Sequence, residues 1–186
     1  MTIRSLVISP DRRLNEKSKP VENGDDSVKK IVQDMLDTME ANRGIGLAAV
    51  QIGVMRKIVI IDIPDDGEEE NMDVDFPIIA INPEITWSSV EKSAFNEGCL
   101  SFPEVTADVI RPVKVKVSFF DIDWKKCEMT VDGLLSKCFQ HEVDHVNGIT
   151  FVDRISPLKR NMIIRKMKKN KRLGVTPEIR DENPYI

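Results

Sequence analysis

His141 and His145 are the only histidines of the chain, and they stand four residues apart in QHEVDH with Glu142 directly after the first. On a helix that spacing stacks both imidazoles on one face, so two nitrogen lone pairs can converge on one cation. Glu142 falls at the edge of the same face, where a carboxylate is costly to bury unless it has a partner. A cation-bound water beside it would supply both a partner and a purpose, hydrolysis. Two ligands do not hold a metal for catalysis, and the third decides the chemistry. No histidine follows His145, and the downstream glutamates, Glu178 and Glu182, lie in a tail punctuated by proline. Cys99 is the better candidate. It sits in NEGCLSFPEV with Gly98 before it and Pro103 after it, a segment suited to a loop or bent strand that brings a thiolate and backbone amides together. Three readings stand at this level. Cys99 completes a hydrolytic site; a glutamate completes an HExxH-type zinc peptidase; or Cys99, Cys138, His141 and His145 close a tetrahedral staple in a ribosome- or RNA-binding module. Against the staple, no C-x-x-C pair occurs, and a chain of this size needs no metal to fold.

These residues have to be positioned. From Leu134 to Val146 the pattern is helical: Leu134, Cys138, His141 and His145 share one face, and Leu135, Phe139 and Val146 an adjacent apolar one. Ser136, Lys137, Gln140, Asp144 and Asn147 form the polar stripe. A helix apolar over so much of its circumference runs through the middle of its domain. Upstream, SVKKIVQDMLDTME carries Val28, Ile31, Met35, Leu36 and Met39 at helical spacing, with Asp26 or Ser27 as its cap. GIGLAAVQIG is too rich in glycine for a helix and too rich in small residues for an ordinary loop. KIVIIDI reads as a strand buried on both faces, and PIIAINPEI restarts the strand pattern. Between them PDDGEEENMDVD holds seven acidic residues and no basic one, which reads as a solvated loop. Val113, Val115, Val117 and Phe119 alternate with Lys114, Lys116 and Ser118 as in a half-buried antiparallel strand, with KCEMTVDG as its return. A final helix is expected from Pro157 to Lys171. The class is therefore α+β: antiparallel or mixed sheets packed around the HExxH helix, with a helix at the C-terminal end.

The 186 residues fit one domain at residues 1–174 and a polar tail at 175–186. Hydrophobic residues at 41% and charged residues at 31% supply an ordinary globular core, and the net charge of −4 argues against a general nucleic-acid binder. No apolar run approaches a membrane span, and MTIRSLVISPDRR lacks the features of a secretory signal. Three cysteines, Cys99, Cys127 and Cys138, fit a reducing compartment better than a disulfide framework, so the expected location is cytoplasmic.

GIGLAAVQ (44–51), EGCLS (97–101) and QHEVDH (140–145) resemble the three signature segments of the peptide deformylases, in the family's order and at similar separations. The similarity continues through VDGLLSKCFQHEVDHVNGITFVDRISPLKR and so covers most of the chain. The resemblance implies removal of the formyl group from the N-terminal formyl-methionine of nascent peptides. It implies that Cys99, His141 and His145 bind the metal, that Glu142 is the general base and acid, and that Gln51 and the backbone N–H of Leu100 stabilise the oxyanion. The metal is typically Fe2+, with Zn2+, Ni2+ or Co2+ able to replace it, and thiolate plus two imidazoles suits any of them. Thiolate ligation of Fe2+ makes oxidation at Cys99 an expected weakness. Gly44 and Gly46 would let backbone approach a strand-like substrate. Ile45, Phe95, Leu134, Cys138 and His141 would line the methionine pocket. Glu97 and Arg111 match a carboxylate–arginine pair beneath the metal site, and Arg111 counts among the expected substrate contacts. Lys137 and Thr106 depart from the family pattern, where an apolar residue and a peptide-binding arginine are usual.

From Lys159 to Arg172 the chain carries eight Lys or Arg residues and no acid. Such a stretch is either a solvated helix face or a footprint for RNA phosphate. The resemblance favours docking on the ribosome near the exit tunnel. A monomer is expected.

Overall fold

The computed structural model describes residues 2–64 and 74–175. The acidic loop expected after KIVIIDI falls mostly between these segments, and the tail with Glu178 and Glu182 falls beyond them, outside the described residues.

The first helix, α1, spans Ser27–Ala41 and buries Val28, Met35 and Met39, three of the five residues expected on its apolar face; Ile31 and Leu36 are partly buried. Its start is capped one residue earlier than expected. Asp26 makes no side-chain cap, whereas Asp25 Oδ1 accepts from Ser27 N at 3.0 Å and Asp25 also pairs with Arg56. GIGLAAVQIG resolves into a three-residue strand, β1 (Gly46–Ala48), followed by a 3-10 turn over Ala49–Ile52. The strand KIVIIDI becomes β2 (Ile58–Ile61), buried at every position as its continuous apolar run requires.

β3 (Ile78–Ser88), β6 (Val115–Phe120) and β7 (Lys126–Val131) complete a five-stranded antiparallel sheet in the order β1-β2-β3-β6-β7. Register in β3 shifts between Ile81 and Glu84, where Asn82 takes a positive φ of 52° and Pro83 has no N–H to donate. Val115, Val117 and Phe119 face the core, as their alternation with polar residues predicts. A second sheet was not legible as such: β4 (Lys92–Gly98) and β5 (Thr106–Pro112) form a two-stranded hairpin. Its inward positions include two charged residues, Glu97 and Arg111, which disguise the apolar alternation.

α2 spans Gly133–Val146 and packs against β1, β2 and β3, with Leu135, Cys138, Phe139 and Val146 in the largest buried cluster. Every residue from Leu135 to Val146 is buried, so the polar stripe as far as Asp144 does not face solvent. It faces the hairpin instead: Lys137 Nζ donates to Ser93 Oγ (2.9 Å) and Pro112 O (3.0 Å), and Gln140 Nε2 to Pro112 O (3.1 Å). The last helix, α3 (Pro157–Leu173), starts on Ser156, whose side chain accepts from Lys159 N, and stops at Gly174 in the left-handed region. It docks through Met167, Ile163 and Ile164 onto a cluster that includes Cys99, Phe102 and Phe151.

Candidate metal centre

α2, buried along its length, delivers His141 and His145 into the interior one turn apart, with ring centroids 4.9 Å from each other. Cys99 follows directly on the end of β4 and is fully buried. Cys99, His141 and His145 each present a ligand atom within 4.8 Å of the others. Cys99 Sγ lies 3.2 Å from His145 Nε2. Cys138 is not part of that group, so the four-ligand staple is not built.

The surroundings fit a soft divalent cation. Burial pushes the Cys99 thiol up, with the charge of Glu142 adding to it, and holds His145 well below its ordinary value. A nearby cation reverses the first effect, because a coordinated thiol gives up its proton. His141 Nε2, His145 Nδ1 and both oxygens of Glu142 are buried without a hydrogen-bond partner among the described residues. Buried polar atoms left bare in this way are costly, and a cation held by Cys99, His141 and His145, with water beside Glu142, would relieve His141 Nε2 and the carboxylate.

The tautomer of His141 follows from its neighbour. Burial alone would raise Glu97, but hydrogen bonds from Arg111 and His141 outweigh it and hold the carboxyl at about 2. An ionised carboxylate only accepts, so His141 Nδ1, 2.9 Å from Glu97 Oε2, donates to it and leaves Nε2 as the ring nitrogen available to a cation. Arg111 binds Glu97 through Nε and Nη2, and its Nη1 donates to Asp144 Oδ2 at 2.8 Å. All three guanidinium nitrogens are thus engaged on a side chain only 4% exposed. Arg111, expected above among the substrate contacts, is a buried side chain that holds Glu97. Asp144, assigned above to a polar stripe, is the residue that sequence reasoning missed; its signal was its place one turn from His141.

Gln51 is fully buried, its Oε1 accepting from Ala48 N at 2.7 Å. That anchor turns the amide Nε2 toward Cys99 Sγ (3.5 Å) and Ser101 Oγ (3.3 Å). Leu100 adjoins Cys99 and packs in the cluster beneath α1. The two glycines answer to the protein's own atoms. A Cβ on Gly46 would lie 2.7 Å from Glu142 Oε1, and one on Gly44 would lie 2.9 Å from Leu100 Cδ1. Gly46 therefore makes room for the carboxylate of Glu142. Ile45 and Cys138 are buried in one cluster, with Phe95 and Leu134 packed partly buried against it.

A family model described as "Polypeptide deformylase" matches residues 3–161. The chain is 47% identical to a peptide deformylase of Brucella suis over 91% of its own length and 94% of the relative's. The crystal structure of a peptide deformylase from Ehrlichia chaffeensis in complex with actinonin superposes with a TM-score of 0.86 at 41% identity, covering 92% of this chain and 99% of the other. One from Legionella pneumophila gives a TM-score of 0.82 at 46% identity, over 95% and 100%.

Proposed function

Because the chain belongs to the peptide deformylase family, metal-dependent enzymes that remove N-formyl groups from nascent peptides, we propose that Cys99, His141 and His145 hold its metal and that Glu142 moves the protons. The observation that carries this reading is a fully buried Glu142 carboxylate, without a hydrogen-bond partner at either oxygen among the described residues, beside three residues whose ligand atoms lie within 4.8 Å of one another. The native metal is Fe2+, with Zn2+, Ni2+ or Co2+ able to substitute, as the softness of one thiolate and two imidazoles supports. When bound, the cation supplies Lewis acidity toward water and the formyl carbonyl.

The residues divide the remaining work. Burial raises the proton affinity of Glu142 above the usual carboxylate range, and its place beside Cys99, His141 and His145 suits it to take a proton from water and pass it to the leaving amine. Gln51 Nε2 and the Leu100 N–H donate to the oxygen that gains charge as the tetrahedral centre forms. Collapse breaks the formyl C–N bond, the proton held by Glu142 goes to the nitrogen, and the remaining hydroxyl proton ionises to solvent, so that formate and a free amine result. Gly44, Ile45 and Gly46 border the peptide, and Ile45, Phe95, Leu134 and Cys138 receive the methionine side chain, giving N-formylmethionyl chains as substrates. A count of only three cysteines supports a reducing, cytoplasmic setting, and the three ligands come from one chain, which supports a monomer. The described residues contain no helix long and apolar enough to cross a membrane. The eight exposed basic residues of α3 support docking on ribosomal RNA.

The test uses anaerobically purified protein, a formyl-methionyl peptide and metal analysis. Glu142→Ala is expected to keep its metal and lose deformylation, and Cys99→Ala to lose or weaken both. Full turnover by Glu142→Ala would overturn the assignment, and cleavage of an internal peptide bond would point to a peptidase.

A further inference from the structure

The ion pairs behind the ligands do not end at Asp144. Arg154 grips both of its oxygens, Nε to Oδ2 at 3.0 Å and Nη2 to Oδ1 at 2.5 Å. A continuous ladder therefore runs from His141 through Glu97, Arg111 and Asp144 to Arg154, with the carboxylates and guanidinia alternating in sign. Two carboxylates balance two guanidinia, so the buried cluster is neutral only while Arg154 is in place.

A second contact ties the same short element to the same ligand. Arg154 ends the 3-10 helix Phe151–Arg154, and the ring of Phe151 stacks over that of His141 with centroids 6.2 Å apart and planes 21° from parallel. The element is itself fastened at its start, where Asp153 Oδ2 accepts from Thr150 N (2.9 Å) and Thr150 Oγ1 (2.8 Å). His141 is thus held on one side by a ring and on the other by a chain of charged bonds, both originating in four residues. Arg154 is the only rung with a substantially exposed side chain, at 44%, so it can be changed without opening the core.

We propose that Arg154 is a positioning residue for the metal ligand His141, acting through Asp144, Arg111 and Glu97; this rests on the reading of Cys99, His141 and His145 as the metal ligands. A bidentate pair fixes the plane of the Asp144 carboxylate and so the direction in which Arg111 offers its fork to Glu97. Loss of a group bonded directly to a metal-binding histidine costs about 10–100-fold in metal affinity. From the far end of the ladder the expected effect is smaller, about 3–10-fold.

The experiment follows cobalt(II)-loaded protein releasing its metal to excess chelator, read by loss of the cobalt absorption, with thermal unfolding recorded alongside. Arg154→Met and Asp144→Asn are each expected to release metal about 3–10-fold faster than wild type. Arg154→Lys, which keeps the charge and a single donor, should fall between. The double variant should release no faster than the faster single, since both cut one ladder. Lys116→Met, which removes an ion pair to Glu128 on the far sheet, should release at the wild-type rate. If Arg154→Met only lowers the unfolding temperature and releases cobalt at the wild-type rate, the proposal is overturned, because Arg154 is then structural. Additive effects in the double variant overturn it equally. His141→Ala separates the two readings: cobalt held as tightly by that variant as by wild type sinks the ligand assignment and this inference together. Cobalt lost by His141→Ala but unaffected in Arg154→Met sinks this inference alone.

Discussion

At the scale of single residues, Gly46 and Glu97 each serve a side chain other than their own. Gly46 leaves space for Glu142, and a methyl group there would press within 2.7 Å of the Oε1 atom. Gly46→Ala is expected to fold, to keep its metal and to lose about 10–100-fold in kcat, since a small misplacement of a proton-transferring group is enough for that. Steady-state kinetics beside metal analysis checks it, and an unchanged kcat would show that the carboxylate can move aside freely. Glu97 holds both Arg111 and His141. Removing one partner of a buried ion pair costs about 3–5 kcal/mol, so Glu97→Gln should lose that order of stability in denaturant unfolding. The pH dependence has a definite sign. The folded Glu97 carboxyl is held at about 2 against an ordinary 4.5, so its contribution is complete above pH 4.5 and is lost as pH falls from 4.5 through 2. An acid-unfolding series should lose part of its slope in that window in Glu97→Gln. An identical slope would mean that other carboxylates govern acid unfolding.

At the scale of elements, α2 is a polar helix in an interior position, and the hairpin β4–β5 is what makes that tolerable. Gln140 and Lys137 both donate to Pro112 O, so that carbonyl stays satisfied if either is removed. Lys137→Met should therefore change stability by no more than about 1 kcal/mol, because no buried acceptor is orphaned. Phe139 lies on the opposite, wholly apolar side, where its ring meets that of Phe119 at 5.9 Å. Phe139→Ala should cost about 3–5 kcal/mol through the cavity it leaves. Urea unfolding of both variants separates the two faces of one helix, and a cost for Lys137→Met as large as for Phe139→Ala would refute the distinction.

At the scale of the whole molecule, the site joins segments that are far apart in the chain, Cys99 after β4 and the histidines in α2. A cation bound there clamps the hairpin to the central helix and stabilises only the folded chain. At a metal concentration of about 100 times Kd that linkage is worth about 2.7 kcal/mol. Chelation should accordingly lower Tm in the wild type and lower it less, or not at all, in Cys99→Ala. Docking through α3 should be equally distinctive, because phosphate contacts weaken steeply with salt. Co-sedimentation with ribosomes at low salt should disappear on deleting residues 159–186, and its persistence would rule out this helix as the contact.

Much of this was legible in the chain itself. The type and spacing of His141, Glu142, His145 and Cys99 announce a metal-assisted hydrolase, because ligand chemistry is a property of residue type and helical periodicity places two of the ligands. The helices α1, α2 and α3 and the strands β2, β3, β6 and β7 follow from apolar periodicity for the same reason: burial of one face is written into local pattern. The hairpin β4–β5 escaped because Glu97 and Arg111 occupy positions where pattern expects apolar residues, and only the fold shows that each is neutralised by the other. What Gly46 makes room for, which way His141 is protonated, and that Asp144 and Arg154 extend the ion pairs outward were decided by tertiary structure alone. Each depends on atoms brought together from distant segments, and no local rule of sequence records who the neighbour will be.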